Sequence, residues 1–393
     1  MMKSNTSNVL IIKGGYNTSG VGEQFVESLL SGYDNEGITR FSIITSETSL
    51  GKNALGYPTT TFQSSFSTLP FLSSLHYWKF VKRSLNNCIE RIKELIKERN
   101  IQMVWIILNG LYTIQVAAGL TKHLKIPYVA HIWDTPEYKS DQIKLDFITK
   151  RHLLDKFDQV LYGASHIISI SDSMGRIYEK KYGKRSSTMV FCPPKESIYP
   201  VRLQNEDSKE IDIVFAGSLY AYKEWSFFLD AIEEYNKLDQ VTILHVKCIG
   251  PVSRWAKKRD FVIYEKLKPI KEATQIINKA DIAYLPYWMA EKYSYAVRTA
   301  FPSKMSMYVA SGTPVLFHGP EESTPTEFLN QYKVGVSCSS TNPKDIIDSI
   351  HQILSVKFQN QYVSSREMAM NNVFRSGRSS EIFKETVRRA MSS

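Results

Sequence analysis

The sequence predicts an α/β protein made of two doubly wound halves joined by a polar linker. Each half opens with a short apolar run that leads directly into a turn of small residues, at residues 9–12 and at residues 211–215. Apolar runs of strand length then alternate with stretches of helical spacing in both halves. The polar segment 202–210 interrupts this alternation, so we expect it to separate two domains.

The first half is expected to contain a parallel sheet, because its strand-length runs are continuously apolar instead of alternating. Residues 23–31 follow the first run with helical spacing at Phe25, Leu29 and Leu30, so the chain opens as a β–loop–α unit. The further predicted strands of this half are residues 38–45, 104–108, 128–133 and 166–170.

The second half repeats the pattern. Pro302 is typical of a helix start, Gly312 of a helix end, and Pro314 begins the next strand. The predicted strands are residues 211–218, 243–249, 261–264, 281–285 and 314–317. The predicted helices include residues 227–235, 302–310, 343–354 and a basic amphipathic stretch at 381–391.

Composition limits the class of protein. The chain has 393 residues, of which 43% are apolar, so disorder is excluded as its general state. The cysteines at 88, 192, 248 and 338 lie too far apart for a zinc ribbon and do not suggest a disulfide scaffold, so we expect a reducing compartment. No run approaches the roughly 18 apolar residues that span a bilayer, and the first apolar run is too short for a signal peptide. These features predict a cytoplasmic protein.

The formal charge of +10 calls for an anionic partner. Nucleic acid is not expected, because no helix-turn-helix, zinc finger or RNP-like strand accompanies the charge. Residues 76–100 contain seven Lys/Arg and three Glu and show helical spacing of apolar residues. Trp78, Lys79, Lys82 and Arg83 are therefore candidates for docking on an anionic membrane surface, at the inner face of the membrane. The alternative is a helix packed on the sheet with a solvated basic face.

Three motifs carry candidate chemistry. Gly20-Val21-Gly22 precedes a helix, so its backbone N–H groups are suited to an anion or a hydroxyl, although a plain tight turn fits equally well. It is neither a dinucleotide fingerprint nor a Walker A loop, which argues against an NAD dehydrogenase. Lys223 follows the turn after residues 211–218 and is suited to a phosphate, or is an ordinary surface lysine. Ser303 and Lys304 open the helix 302–310, where a diphosphate would be favoured.

Together these runs resemble a known family. FAGSLYAYKEW, KADIAYLPY and FPSKMSMYVASGTPVL resemble motifs of the C-terminal domain of GT-B nucleotide-sugar glycosyltransferases, most closely the retaining group 1 family. The first half resembles the acceptor domain of that family more weakly, through SGVGEQF, the strand that ends His131-Ile132-Trp133-Asp134, and ASHIISISDSM.

The resemblance implies two Rossmann-like domains facing across a cleft. Residues 1–202 would form the acceptor-side domain, 209–370 the donor domain, and 371–393 a helix that returns to the first domain. It implies transfer of a sugar from a nucleotide diphosphate donor to a glycan or lipid-linked acceptor hydroxyl, with retention, without metal or cofactor, in surface polysaccharide or glycolipid synthesis.

The resemblance also assigns residues, with departures. Lys223 stands where the family lysine contacts the diphosphate, and Ser218 replaces its arginine partner. Thr299 and Met307 stand where the family has paired glutamates. Trp133 stands where the family has a histidine, so His131 is a candidate substitute or a satisfied core histidine. The candidate catalytic residues are His131 and Lys223; the donor-binding candidates are Gly217, Ser218, Lys223, Lys268, Thr299, Ser303, Lys304 and Met307; and the acceptor candidates are Gly20, Val21, Gly22, Trp133 and Asp134.

The missing glutamates leave two other functions open. One is a non-catalytic GT-B subunit that supports a partner transferase. The other is a nucleotide-sugar epimerase on the same fold.

Overall fold

The computed structural model describes residues 7–15, 21–45, 59–64, 69–202, 208–238, 241–251 and 259–392. The chain divides into two compact units: unit 1 is Met1–Met189 with Ser379–Ser393, and unit 2 is Val190–Arg378. Each unit contains one parallel sheet with helices around it, which confirms the predicted α/β architecture of two similar halves.

The sheet of unit 1 has the order β3-β2-β1-β4-β5-β6-β7, so the strand order reverses beside β1. Ligands of doubly wound sheets bind at this reversal, outside the carboxyl ends of the strands. The strands are β1 (Val9–Gly14), β2 (Ile38–Thr45), β3 (Thr59–Ser64), β4 (Met103–Ile107), β5 (Tyr128–Ile132), β6 (His166–Ser169) and β7 (Ser186–Thr188).

The helices of unit 1 cover both faces of this sheet. The basic stretch 76–100 lies in two helices and not one. The first ends at Arg83 and the second starts at Leu85, and Ser84 between them caps the first helix, with its N–H donating to the Phe80 carbonyl. The helices are α1 (Val21–Leu30), α2 (Leu72–Arg83), α3 (Leu85–Glu98), α4 (Leu111–Thr121), α5 (Pro136–Gln142), α6 (Phe147–Gly163) and α7 (Asp172–Tyr182).

The sheet of unit 2 has the order β10-β9-β8-β11-β12-β13 and reverses beside β8. Its core is continuous from the strands to the surrounding helices, with Phe215, Tyr284 and Phe317 fully buried. The strands are β8 (Glu210–Ala216), β9 (Ile243–Ile249), β10 (Val262–Glu265), β11 (Ile282–Pro286), β12 (Val315–His318) and β13 (Gly335–Cys338).

The first helix of unit 2 begins at Tyr222, five residues before the predicted start at 227, so Lys223 lies in its first turn. The helices of unit 2 are α8 (Tyr222–Leu238), α9 (Ile270–Lys279), α10 (Ser294–Thr299), α11 (Ser303–Ala310), α12 (Thr324–Tyr332), α13 (Pro343–Leu354) and α14 (Val356–Asn372).

The last helix, α15 (Arg378–Ser392), packs within unit 1. The Phe383 ring lies 5.2 Å from Tyr33 and 4.8 Å from Trp105, centroid to centroid. All four cysteines are buried free thiols. Within the described ranges, every helix is too short or too polar to cross a bilayer.

Candidate functional site

The turn after β8 is built on two glycines. Gly217 has a φ of +103°, which disfavours side chains, and its N–H donates to the Ile249 carbonyl at 2.7 Å. A Cβ on Gly250 would lie only 2.2 Å from the Gly217 carbonyl oxygen. The backbones that follow β8 and β9 therefore approach closely, and the Gly217-Ser218 turn is fixed at the carboxyl end of the sheet.

Lys304 from α11 reaches this turn. Its Nζ donates to the Ser218 carbonyl at 3.1 Å and lies 4.6 Å from the centroid of the Tyr220 ring and 5.6 Å from that of Phe215. The side chain is half-buried, and desolvation lowers the pKa of its ammonium to about 8. The two aromatic faces and the carbonyl hold one positive charge beside the switch point of the sheet.

The start of α11 is held against the same strand. The fully buried Tyr308 hydroxyl accepts from the Ala216 N–H at 2.9 Å and joins α11 to the end of β8. Ser303 is the first residue of α11, directly after Pro302. The N–H groups of the first turn of α11 lie at the positive end of the helix dipole, and they belong to the same helix as Lys304.

Aromatic rings extend this site along the sheet edge. The Trp288 indole N–H donates to the Tyr220 carbonyl at 3.0 Å, and the two rings lie 4.7 Å apart. Tyr293 stacks on Trp288 at 4.7 Å. The buried Glu224 accepts from the Met289 N–H at 2.8 Å and fixes the loop after β11. This wall of half-buried rings is chemically suited to stacking on a sugar or a base.

In unit 1, His131 lies within a cluster of aromatic rings. It is fully buried, and the indole nitrogens of Trp133 and Trp105 lie 3.0 Å and 3.3 Å from its two ring nitrogens. Phe25 stacks on Trp133 with centroids 5.0 Å apart. Burial lowers the pKa of His131 to about 3, so the ring is neutral. These contacts favour the satisfied core histidine over a base that reaches substrate.

A buried charged triad lies beside the first strand of unit 1. The Glu23 carboxylate pairs with the Lys13 ammonium and with the Arg40 guanidinium, the latter at 2.7 Å, and all three side chains are buried. Two cations share one carboxylate, so burial and the neighbouring Arg40 lower the pKa of Lys13 to about 7. Glu23 also lies in the first turn of α1, where the helix dipole favours an acid.

Solved structures are similar to nearly the whole chain. A sucrose-phosphate synthase from Thermosynechococcus elongatus is 12% identical, with a TM-score of 0.72 and coverage of 98% of this chain and 99% of that one. A UDP-forming α,α-trehalose-phosphate synthase from Burkholderia xenovorans is 9% identical, with a TM-score of 0.64 over 98% and 100%. WaaG, a glycosyltransferase involved in lipopolysaccharide biosynthesis, is 10% identical, with a TM-score of 0.62 over 96% and 99%.

No family model and no curated protein sequence matches the chain. The likeness therefore concerns the fold, with two parallel sheets of seven and six strands flanked by helices. The chain has the GT-B fold. Its two GT-B domains carry the residues predicted for donor and acceptor in separate units.

Unit 2 brings four of the residues predicted for donor binding together at one end of its sheet. Gly217 and Ser218 form the turn, Lys304 contacts it, and Ser303 opens the helix that carries Lys304. Lys223 lies in the first turn of α8 with its side chain exposed, and within the described ranges it forms no ion pair. That lysine is available to an anionic ligand.

Three other predicted donor residues are engaged elsewhere. Thr299 is fully buried, and its hydroxyl donates to the Tyr295 carbonyl at 2.7 Å. Met307 is buried within α11. The Lys268 ammonium is 2.9 Å from Glu272 and 3.7 Å from Glu265, and these carboxylates raise its pKa. These contacts leave the three side chains poorly placed for a diphosphate, because each is either buried or neutralised.

The predicted acceptor residues are only partly described. Gly20 lies outside the described residues, Val21 begins α1, and Gly22 lies in its first turn. Trp133 is held by Phe25, and Asp134 pairs with Lys139 at 2.9 Å. Of this group, Trp133 and Asp134 lie at the carboxyl end of β5, and their role in acceptor binding stays a prediction.

The sequence motifs predict neither the buried charged triad nor the aromatic wall. Lys13 and Arg40 each stand as the one charged residue in a buried strand of a parallel sheet, and a charge there must be paired. That isolated charge was the available signal for the triad. The aromatic wall had no comparable signal, because Tyr220 follows β8 whereas Trp288 and Tyr293 follow β11, far away in sequence.

The buried His131 predicts a stability that depends on pH. Its folded pKa of about 3 lies below the ordinary 6.5, so the unfolded chain takes up the proton first as pH falls. The stability that neutral His131 contributes is present above pH 6.5 and is lost between 6.5 and about 3. We expect His131→Phe to reduce the loss of unfolding free energy on acidification, measured by urea denaturation across this range.

The exposed His123 provides the matched control for His131→Phe. His123→Gln is expected to leave the acid-induced loss of stability unchanged. An equal loss in wild type and His131→Phe would contradict the buried, neutral histidine.

Proposed function

We propose that this protein is a glycosyltransferase that moves a sugar from a nucleoside diphosphate donor to an acceptor hydroxyl. The observation that carries the proposal is the Lys304 ammonium, fixed at the Gly217-Ser218 turn by a carbonyl and two aromatic rings. It lies at the carboxyl end of a doubly wound sheet, next to the first turn of a helix. Positive charge at this position suits a diphosphate.

The chemistry follows from the leaving group. As the bond from the sugar to the diphosphate breaks, negative charge grows on the departing oxygen. Fixed positive groups lower the free energy of that transition state more than that of the ground state. Lys304 and the first N–H groups of α11 supply such groups, and the exposed Lys223 adds a second ammonium from α8.

The finer assignments rest on the sequence resemblance and on what the similar proteins are. WaaG is described as acting in lipopolysaccharide biosynthesis, and a similar trehalose-6-phosphate synthase was studied for glycosyl transfer with retention. We propose a retaining transfer to a glycan or lipid-linked acceptor, in surface polysaccharide or glycolipid synthesis. We also propose that lysines and helix dipole take the place of a metal, and that the four free thiols reflect a cytoplasmic location.

A second candidate is a non-catalytic subunit of a transferase complex. The buried Thr299 and Met307, at the positions of the family glutamates, favour it. The resemblance implies that the glutamate at position 307 would hold the donor ribose and the one at position 299 would contact the donor sugar, and neither buried side chain replaces a carboxylate. The two candidates differ in whether a nucleotide sugar is bound and consumed.

Calorimetric titration with uridine, guanosine, adenosine and cytidine nucleotides distinguishes these functions. A transferase is expected to bind one nucleoside diphosphate and to release it from the matching nucleotide sugar when acceptor is added. A protein that binds none would be a scaffold. NMR of the donor without acceptor tests the epimerase alternative, since only an epimerase would convert the sugar and keep the nucleotide attached.

The Lys223→Ala variant tests whether the Lys223 ammonium contributes to binding of the nucleoside diphosphate. We expect the affinity for the nucleoside diphosphate to fall by about 10- to 100-fold, because one charge-assisted contact worth roughly 1.5–3 kcal/mol is lost. Lys237→Ala is the matched control, since Lys237 lies at the opposite end of α8 and pairs with Glu233 at 3.0 Å. Equal affinities of both variants, measured by titration, would remove Lys223 from the site.

A further inference from the structure

Unit 1 carries an exposed apolar surface that its own core does not use. Phe71 is 83% exposed, Phe147 77%, Ile148 72% and Leu75 62%. Large apolar side chains are mostly buried in soluble domains, and a cluster of exposed ones marks an interaction site. Leu69 and Leu72, also exposed, lie in the same segment as Phe71 and Leu75.

These side chains come from two helix starts that are held together. The Asp146 N–H, just before α6, donates to the Ser74 hydroxyl of α2 at 3.0 Å. The Trp78 indole N–H donates to the Thr149 hydroxyl at 2.9 Å. Phe71, at the N-cap of α2, and Phe147, the first residue of α6, therefore lie at the joined starts of these two helices.

Basic side chains continue the same surface. On α2, Leu72 and Leu75 lie three residues apart on one face, and Lys79, Lys82 and Arg83 follow on that face at helical spacing. The opposite face, with Ser73, Ser74, Tyr77 and Phe80, is buried. Trp78 lies beside that buried face and packs on His152 of α6, with ring centroids 4.8 Å apart. Its main role is therefore in the contact between α2 and α6 and not in the exposed surface.

The positive charge of this surface is available. Lys79, Lys82 and Arg83 are exposed, as are Lys144 in the loop before α6 and Arg151 on α6. Within the described ranges none of these five side chains forms an ion pair, whereas Lys150 of the same helix pairs with Asp141. Asp155, one turn after Arg151, is the exposed acid of this face.

From this arrangement we propose that the surface formed by Leu69, Phe71, Leu72, Leu75, Phe147 and Ile148, with its basic rim, docks on the anionic face of a lipid bilayer. The apolar side chains enter the interface between headgroups and acyl chains, and the lysines and arginines attract acidic headgroups. Among the described residues, no helix is long and apolar enough to cross the bilayer. A binding site for another protein would not require this many basic side chains without ion pairs around an apolar centre.

This docking is independent of the proposed sugar transfer, so its test needs no substrate. The full-length protein is sedimented with vesicles of phosphatidylcholine alone and of phosphatidylcholine mixed with phosphatidylglycerol. We expect binding to the mixed vesicles, weak binding to the neutral ones, and a loss of binding at high salt, because salt screens the attraction. Equal binding to both kinds of vesicle, or to neither, would overturn the proposal.

Two double variants separate the apolar and basic contributions. Phe71→Ser with Ile148→Ser is expected to weaken binding about tenfold or more, since apolar area is lost from the interface. Lys79→Gln with Lys82→Gln is expected to weaken binding about tenfold or more through lost attraction to acidic lipids. Circular dichroism checks that each variant is folded, which is expected because these side chains are exposed.

Matched controls lie in unit 2. Leu238→Ser with Ile263→Ser removes two other exposed apolar side chains, and Lys271→Gln with Lys357→Gln removes the same net charge. Both controls are expected to bind vesicles like wild type. If the control variants lose as much vesicle binding as the α2 and α6 variants do, the proposal that this particular surface docks on the bilayer is wrong. Light scattering tests self-association. If the wild-type protein is a dimer that does not bind vesicles, and the Phe71→Ser, Ile148→Ser double variant is a monomer, the surface is a dimer interface instead.

Discussion

Lys304→Met is expected to lower the rate of sugar transfer by about 10²–10³, the effect of removing one preorganised charge from a developing anion. Methionine keeps the apolar stem that packs on Tyr220 and Phe215, so the fold of unit 2 is expected to persist. The measurement is release of nucleoside diphosphate from the donor, with calorimetric titration of the same nucleotide. A rate within threefold or so of wild type would contradict the role of Lys304, given the size of that effect.

The dependence on pH gives this prediction a second readout. Because the pKa of Lys304 is lowered to about 8, its ammonium loses the proton above that pH in the free protein. Affinity for a nucleoside diphosphate should therefore fall as pH rises through 8. Lys304→Arg keeps its charge over this range, so its affinity is expected to change much less with pH. A parallel decline in both proteins would place the titrating group elsewhere.

Glu23→Gln is expected to destabilise unit 1 by about 3–5 kcal/mol, because it leaves the Lys13 and Arg40 cations buried without their carboxylate. The cost comes from desolvated charge and not from lost packing, since glutamine has nearly the same shape. Hydrogen exchange of the full-length protein, analysed by peptide, is the suitable measurement because two units need not unfold together. Amide hydrogens in peptides of unit 1 should exchange faster than in wild type, and the exchange rates in peptides of unit 2 should be unchanged.

The companion variants show whether charge is the cause. Adding Lys13→Met to Glu23→Gln removes one of the stranded cations and is expected to restore part of the stability. Adding Arg40→Met as well replaces the whole triad by neutral side chains, a change that is often neutral for buried ion pairs. If Glu23→Gln alone leaves unit 1 as stable as wild type, the buried triad does not exist in solution.

Local sequence was sufficient for most strands. Residues 9–12 are a short apolar run with a turn after it, and burial on both faces requires such a composition. Residues 243–249 alternate between buried and more exposed positions, which is also typical of a strand. The strands that escaped prediction, Thr59–Ser64, Ser186–Thr188 and Gly335–Cys338, lie at sheet edges and contain mostly polar or small residues. Helix α14 escaped as well, because its apolar face is weak and contacts from other elements stabilise it.

The candidate site, like the strands, was predictable from sequence only where it depends on residues that are adjacent in the chain. The motif around Ser303 and Lys304 identified a cation at a helix start, since both residues are adjacent in sequence. Thr299 and Lys268 were placed with it by resemblance, but their partners, Tyr295 and Glu272, occupy them. A hydrogen bond or ion pair that engages a side chain is invisible in a motif unless its partner is known.

Sequence alone determined the two α/β halves, the turn of small residues after β8 and the basic composition of residues 76–100, because each depends on neighbours along the chain. Tertiary structure decided which charges are free. Lys223 and the lysines of α2 remain exposed without ion pairs among the described residues, whereas Lys13, Arg40 and Lys268 are bound to carboxylates. The physical reason is that a charge is available to a ligand only when no nearer opposite charge holds it, and nearness is set by the fold.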